Sequence, residues 1–274
     1  TLLHTGETRG IGYLKYFFDT TIVPQEQLSY LSLLISLLGK VNTTNYSYGE
    51  LSNEILFHTG GIGFSLDTFQ PMNSEEFHPK LTVSTKALNP KLPESNRLIT
   101  EIMSQTKFDD RERIREIIQE LKSRMEMIIM NSGHQVASMR LLSYLSSMGM
   151  YHEITGGLEF YRFVSRLNKD FDGQFDSIKV ILENILVSLY NKRELVVGMT
   201  TENDEISRLK LNLKDFISNV PDNKFTMSPF QFSPKIRNEG LATPTRVQYV
   251  AQGYNFRKLG FQYSGALTVF SRIA

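Results

Sequence analysis

Five histidines are the first residues to test for chemistry: His4, His58, His78, His134 and His152. A zinc-binding helix that activates water needs two imidazoles about one turn apart, with a glutamate beside them to take the proton. His4-Thr5-Gly6-Glu7-Thr8 approaches the inverted order H-x-x-E-H, but Thr8 stands where the last ligand belongs and Gly6 disfavours a helix. His152-Glu153 has no second histidine within a turn, and His134 follows Gly133 at a predicted helix start. His58-Thr59-Gly60-Gly61-Ile62-Gly63 has the composition of a phosphate-cradling loop in the wrong order. Its glycines follow a predicted helix and precede a predicted strand, whereas phosphate loops follow a strand and open a helix. It reads as a glycine stop. Gly-x-Ser-x-Gly is absent, no Ser-His-Asp set follows from spacing, and the lack of cysteine excludes disulfides, thiolate metal sites and thiol nucleophiles. The residues alone give a soluble α+β domain with no self-contained catalytic site.

The elements that must position these residues are read from periodicity. Stretch 132–167 organises the chain as two predicted helices with a glycine corner. Ala137, Leu141, Leu145 and Met148 share one face, Gly149 ends the run, and Gly156-Gly157 opens a second run through Phe160, Phe163, Val164 and Leu167. Residues 10–20 are apolar on both faces and predict a central strand. A helix follows Pro24, with Leu28, Leu31, Ile35 and Leu38 as its stripe and Gly39 as its stop. Ser47 and Glu50 form a capping box for a second helix, with Leu51, Ile55 and Leu56 as its apolar face. Strands at 63–69 and 81–88 predict a hairpin through a polar connection at 73–76. Helices are predicted at 95–106, from an Asp109 cap to Asn131, at 175–190, and at 206–217 with Asn203 or Asp204 as cap. A strand is expected at 194–200. Residues 221–240, with Pro221, Pro229 and Pro234, read as a linker. Beyond them a strand at 245–251 and a helix at 264–274 are too little to fold alone.

With 41% apolar residues the chain can bury a real core. Its 30 basic and 29 acidic residues are interspersed, so it presents no electrostatic footprint for nucleic acid or an anionic membrane. The longest apolar run, 31–38, is too short to span a bilayer, and no signal-peptide pattern opens the chain. Thr1 and a predicted helix still running at Ala274 suggest a piece of a longer protein.

Four segments, in order, carry a resemblance: LSNEILFHTGGIGF (51–64), RMEMIIMNSGHQVASMR (124–140), GGLEFYRF (156–163), and NEGLATPTRVQYVAQG with YSGALTV (238–253 and 263–269). The chain resembles the C-terminal half of pitrilysin/insulinase-type zinc metallopeptidases, in the presequence protease and falcilysin branch. The resemblance implies an α+β fold, a mostly antiparallel sheet packed against several helices, followed by the start of a second similar domain. Residues 1–222 would be the third domain of a four-domain clamshell, 223–240 a linker, and 241–274 the truncated start of the fourth. The parent would bind zinc in its N-terminal half and hydrolyse unfolded peptides in a closed chamber. This chain would hold no zinc and no catalytic residue. Its partners would be peptide substrates and the N-terminal half of the same protein, with neither nucleic acid nor membrane. A soluble setting is implied, cytoplasmic in a bacterium and an organellar matrix in a eukaryote. His58, Thr59, Gly60 and Gly61 are the candidate chamber-facing residues. A scaffold relative without peptidase activity is the alternative, an unrelated small-molecule-binding α+β domain is a third reading, and a doubly wound parallel sheet would contradict the resemblance.

Overall fold

A computed structural model of the chain describes residues 7–72, 74–225, 229–243 and 247–273. Four antiparallel strands, β1 (Ile11–Asp19), β2 (Ile62–Phe69), β3 (His78–Leu88) and β4 (Val196–Thr200), form one open sheet in the order β2-β3-β1-β4. The fold is α+β, with a sheet that is not doubly wound. Strand β1 is central, and β2 and β3 form the expected hairpin; Asn73 of its connection lies outside the described residues. Only one face of β1 is buried, contrary to the sequence reading. Leu14, Tyr16 and Phe18 point into the core, while Tyr13 and Lys15 alternate toward solvent. The aromatic alternation is apolar on both sides, but the helices bury one side only. That face is fixed in register: Leu14 sits opposite Thr85 and Met199, and Tyr16 opposite Val83 and Val197. Tyr16 donates its hydroxyl hydrogen to Asn96 Oδ1 at 2.5 Å, and burial pushes its pKa up.

Local signals set most helix ends. Helix α1 (Leu28–Leu37) follows a 3-10 turn begun at Pro24, and Gly39, at φ +74°, ends it where a side chain would be strained. Helix α2 (Tyr48–His58) carries the complete Ser47–Glu50 capping box. Leu51 is buried there, but Leu56 is 71% exposed and does not belong to the buried face. Helix α3 (Leu92–Gln105) begins before residue 95, because Pro93 fits the first turn, where an N–H is not needed. Helix α4 (Arg111–Asn131) is capped by Asp110, which accepts from the Arg113 N–H at 3.0 Å, rather than by Asp109.

The organising stretch holds three helices, not two: α5 (Gly133–Ser143), α6 (Ser147–Gly156) and α7 (Leu158–Lys169). The break falls at 144–146, because Ser146 caps α6 by accepting the Gly149 N–H at 3.0 Å. Gly149 therefore lies inside α6, where a Cβ would stand 2.1 Å from the Leu142 carbonyl oxygen. Helix α8 (Phe171–Leu189) starts earlier than expected. Helix α9 (Ile206–Asn219) follows Glu205, so neither Asn203 nor Asp204 is its cap. Helix α10 (Gly265–Ile273) matches the expected C-terminal helix, and Ala274 lies outside the described residues. The strand expected at 245–251 is not formed at 247–251, and residues 245 and 246 lie outside the described set. This backbone lies along α5 instead, with Tyr249 against Gly133 and Gly253 against Leu141.

Candidate functional site

The uncovered face of the sheet is built row by row from strand register. Gly63, Ser84, Lys15 and Gly198 make a low row across all four strands. Beside it Tyr13 stands between Lys86 and Thr200, and on the other side Phe17 stands between Thr82 and Val196. Phe17 meets Phe69 edge-on with ring centroids 5.6 Å apart. At one end of the low row lies a 420 Å³ groove whose lining includes Tyr13, Lys15, Gly60, Gly61, Ser84 and Lys86.

The turn at the rim of the groove is held on both sides. Thr59 donates to the Ile55 carbonyl at 2.7 Å and accepts from the Gly61 N–H at 2.9 Å. Gly60 N–H donates to the Lys86 carbonyl at 2.7 Å, and Thr85 donates to the Gly61 carbonyl at 3.0 Å. Gly61 adopts φ +109°, which explains the glycine. Of the four candidates, Gly60 and Gly61 line the groove; His58 and Thr59 do not. His58 lies 3.6 Å from Glu54, against the Phe57 ring. Sequence reasoning missed Tyr13, Lys15, Ser84 and Lys86. The available signal was the polar member of each alternating pair, Lys15 in β1 and Ser84 and Lys86 in β3.

The other histidines are dispersed. His152 Nε2 is 3.0 Å from the Thr68 hydroxyl, with its pKa lowered by burial. His134 is exposed, 5.9 Å from the Tyr249 ring, and His4 lies outside the described residues. Among the described residues no three His, Cys, Asp or Glu side chains converge on a metal position.

Glu153 is paired with an arginine that the sequence analysis did not single out. Arg140 is 6% exposed and directs its guanidinium at three carboxylates. Its Nη1 reaches Glu153 of α6 at 3.0 Å and Glu159 of α7 at 2.9 Å. Its Nε and Nη2 form a fork on Glu239 at 2.7 and 3.1 Å. The Tyr144 hydroxyl also donates to Glu239, and Arg237 lies over the Tyr144 ring at 4.8 Å. Hydrogen bonds from Arg140 and Tyr144, with the Arg140 and Arg237 charges, lower the Glu239 pKa to about 2. Burial raises the Glu153 pKa, with Arg140 opposing. Glu153 Oε2 has no partner and is fitted against Gly157, where a Cβ would lie 2.2 Å away. This carboxylate is walled in, with its Oε1 held by Arg140 and the Glu159 N–H.

Residues 1–167 match the family of segments associated with peptidase family M16, subfamily C. The chain belongs to that family. Among curated proteins, this peptidase-associated chain is 37% identical to Protein HypA of Clostridium perfringens over all of its length and 28% of that protein's. It is 26% identical to Presequence protease 1, chloroplastic/mitochondrial, of Arabidopsis thaliana over 99% of the chain and 25% of that protein. It thus spans about a quarter of these relatives' length. A crystal structure of a conserved protein from Enterococcus faecalis V583 shares the fold, with TM-score 0.55, 17% identity, and coverage of 86% of this chain and 53% of that one. Among the described residues no helix is long and apolar enough to cross a membrane.

Proposed function

We propose that this chain is a non-catalytic C-terminal portion of a zinc-dependent metalloendopeptidase that degrades oligopeptides, and that its open sheet face forms part of the closed substrate chamber. The observation that supports this is that face. Tyr13, Lys15 and Lys86 surround a groove on a sheet surface that none of the described helices covers. An extended peptide has unpaired backbone groups and alternating side chains, and it suits a sheet edge beside such a surface. In this reading residues 1–222 are the third domain, 223–240 the linker and 241–274 the start of the fourth. Zinc and the water-activating glutamate come from the N-terminal half, which is the partner this chain closes against. The name of the Arabidopsis thaliana relative, a presequence protease, agrees with this.

The test uses the full-length protein with Tyr13→Ala and, separately, Lys15→Glu. Hydrolysis of an unfolded peptide is followed together with zinc content. KM should rise about tenfold, the loss of one good contact of about 1.4 kcal/mol. kcat should stay within about twofold, because neither residue touches the reacting atoms. Unchanged KM in both folded variants would remove the face from the substrate path. A full-length protein that neither holds zinc nor cuts peptides would replace this reading with the scaffold one.

A further inference from the structure

We propose that the groove on the open sheet face is a carboxylate subsite, in which Lys15 and Lys86 together hold an acidic group of a bound peptide. The peptide rests on the chamber reading given above. The carboxylate rests on how charge is distributed over the face.

Three lysines stand on this face in strand register, and only one is answered by an acid. Lys80 of β3 lies between Asp67 of β2 and Asp19 of β1, and its Nζ is 2.5 Å from Asp19 Oδ2. Lys15 and Lys86 lie toward the other end of the same face. Lys15 stands between Ser84 and Gly198, and Lys86 between Tyr13 and the Gly60-Gly61 turn. Both are exposed, and among the described residues neither makes a hydrogen bond or an ion pair. The groove lining contains no aspartate or glutamate. Glu202, just past β4, spends its two oxygens elsewhere, on the Gly10 N–H at 2.8 Å and the Asn89 side-chain amide at 3.3 Å.

Register brings the two unanswered lysines together. Ser84 is opposite Lys15, so Lys86 is its diagonal neighbour, about 7–8 Å away and within reach of long side chains. Two like charges at that spacing repel, and a carboxylate between them turns the repulsion into two attractions. A solvated lysine on a flat surface offers no such place. Here both ammonium-bearing stems flank a 420 Å³ recess, with Tyr13 beside them and Gly63 and Ser84 in its floor. The Lys86 stem lies against Gly60, where a Cβ would stand 2.8 Å from its Cγ and Cε, so a glycine there lets the stem follow the rim.

The chemistry of the pair sets what it accepts. Arg140 grips Glu239 with a planar fork of fixed geometry, whereas two ammoniums are point charges on flexible stems. The subsite therefore recognises a carboxylate without fixing its plane. A peptide supplies that group from an aspartate or glutamate side chain, or from its C-terminus.

The experiment measures the affinity of the full-length protein for four versions of one unfolded, fluorescently labelled peptide. Each carries an internal glutamate or glutamine and a free or amidated C-terminus. Binding is read by fluorescence anisotropy on ice, before cleavage. At least one carboxylate version should bind about three- to tenfold more tightly than the all-amide peptide, the size of one or two exposed charge pairs. That preference should shrink in high salt. Which version gains identifies the source, side chain or C-terminus. In the double variant Lys15→Gln, Lys86→Gln the preference should vanish, while the all-amide peptide binds as before. Each single variant should lose part of it, and Lys15→Arg should keep it. Equal binding of all four peptides to the native protein overturns the subsite, as does a preference that survives loss of either lysine singly and of both. The chamber reading fails separately: Tyr13→Ala would then leave the affinity for all four peptides unchanged. If Tyr13→Ala weakens all four and the lysine variants weaken them equally, the face binds peptide and the carboxylate subsite alone is wrong.

Discussion

Two glycine pairs look alike in this chain and do opposite work. Gly60-Gly61 lies between α2 and β2, while Gly156 closes α6 and Gly157 joins it to α7. At the first pair the requirement is conformational: Gly61 has φ +109° with nothing within 4 Å of an added Cβ, and Gly60 would meet only the side chain of Lys86. At the second the requirement is space. Gly157 has an ordinary extended backbone, at φ −93°, but a Cβ there would overlap the Glu153 carboxylate and approach the Glu153 Cα at 2.9 Å. One pair shapes the rim of an open surface. The other closes a wall around a buried charge. A glycine in a turn is thus explained by what stands next to it as much as by its dihedral angles.

The contrast breaks most clearly at Gly157. Gly157→Ala forces a methyl group into Glu153, whose Oε1 is held by Arg140 and the Glu159 N–H, and also 2.9 Å from the Glu153 Cα, a contact that no side-chain rotation relieves. The expected loss is about 2–3 kcal/mol of stability, read by denaturant unfolding. The neighbouring Gly156→Ala is the internal control. Open space surrounds it at the end of α6, so it should be neutral or stabilising by about 0.5 kcal/mol. Equal losses at both positions would mean that backbone conformation, not the walled carboxylate, selects glycine there.

Acid sharpens the same comparison from the charge side. The Glu239 carboxyl is lowered from its ordinary 4.5 to about 2 by Arg140, Tyr144 and Arg237. A lowered carboxylate stabilises the folded form above the ordinary value, and that contribution is lost as pH falls from about 4.5 through 2. With a partly exposed side chain the amount is about 1 kcal/mol. Glu239→Gln should lack this acid-dependent loss in a pH series of denaturant unfolding of the full-length protein. An identical pH profile in both proteins would assign the acid limb to other groups.

What the sequence made legible was local. The Ser47–Glu50 box, the Gly39 stop and the β2–β3 hairpin depend on residues within a few positions of one another, and each forms as read. Errors of one residue arose where two neighbours have the same chemistry, as at Asp109 and Asp110. The face of β1 was not legible, because Tyr13 and Phe17 are as apolar as Tyr16 and Phe18, and only the placement of the helices decides which pair is covered. Arg140 was invisible for a stronger reason. Its partners stand 13, 19 and 99 residues away, and nothing in the local pattern marks an arginine on α5 as buried. Of the candidate site, the glycine rim was readable from its turn chemistry, while Lys15, Ser84 and Lys86 join it only through strand register.

The smallest expected effect is the most discriminating for the groove. Gly60→Ala places a methyl group 2.8 Å from Lys86 Cγ and Cε, atoms of a long exposed side chain that can change rotamer. Stability should change by no more than about 0.5 kcal/mol. The displaced Lys86 chain must then move into or away from the groove it lines, so the full-length protein should show a raised KM for an unfolded peptide at unchanged folded fraction. The two glycine pairs would then separate completely: substitution at Gly157 costs folding, and substitution at Gly60 costs recognition. If Gly60→Ala alters stability and leaves peptide turnover per folded molecule intact, the turn is structural like its counterpart. The groove would then lose its rim as a contact, leaving Tyr13 and Lys15 to carry any interaction with substrate.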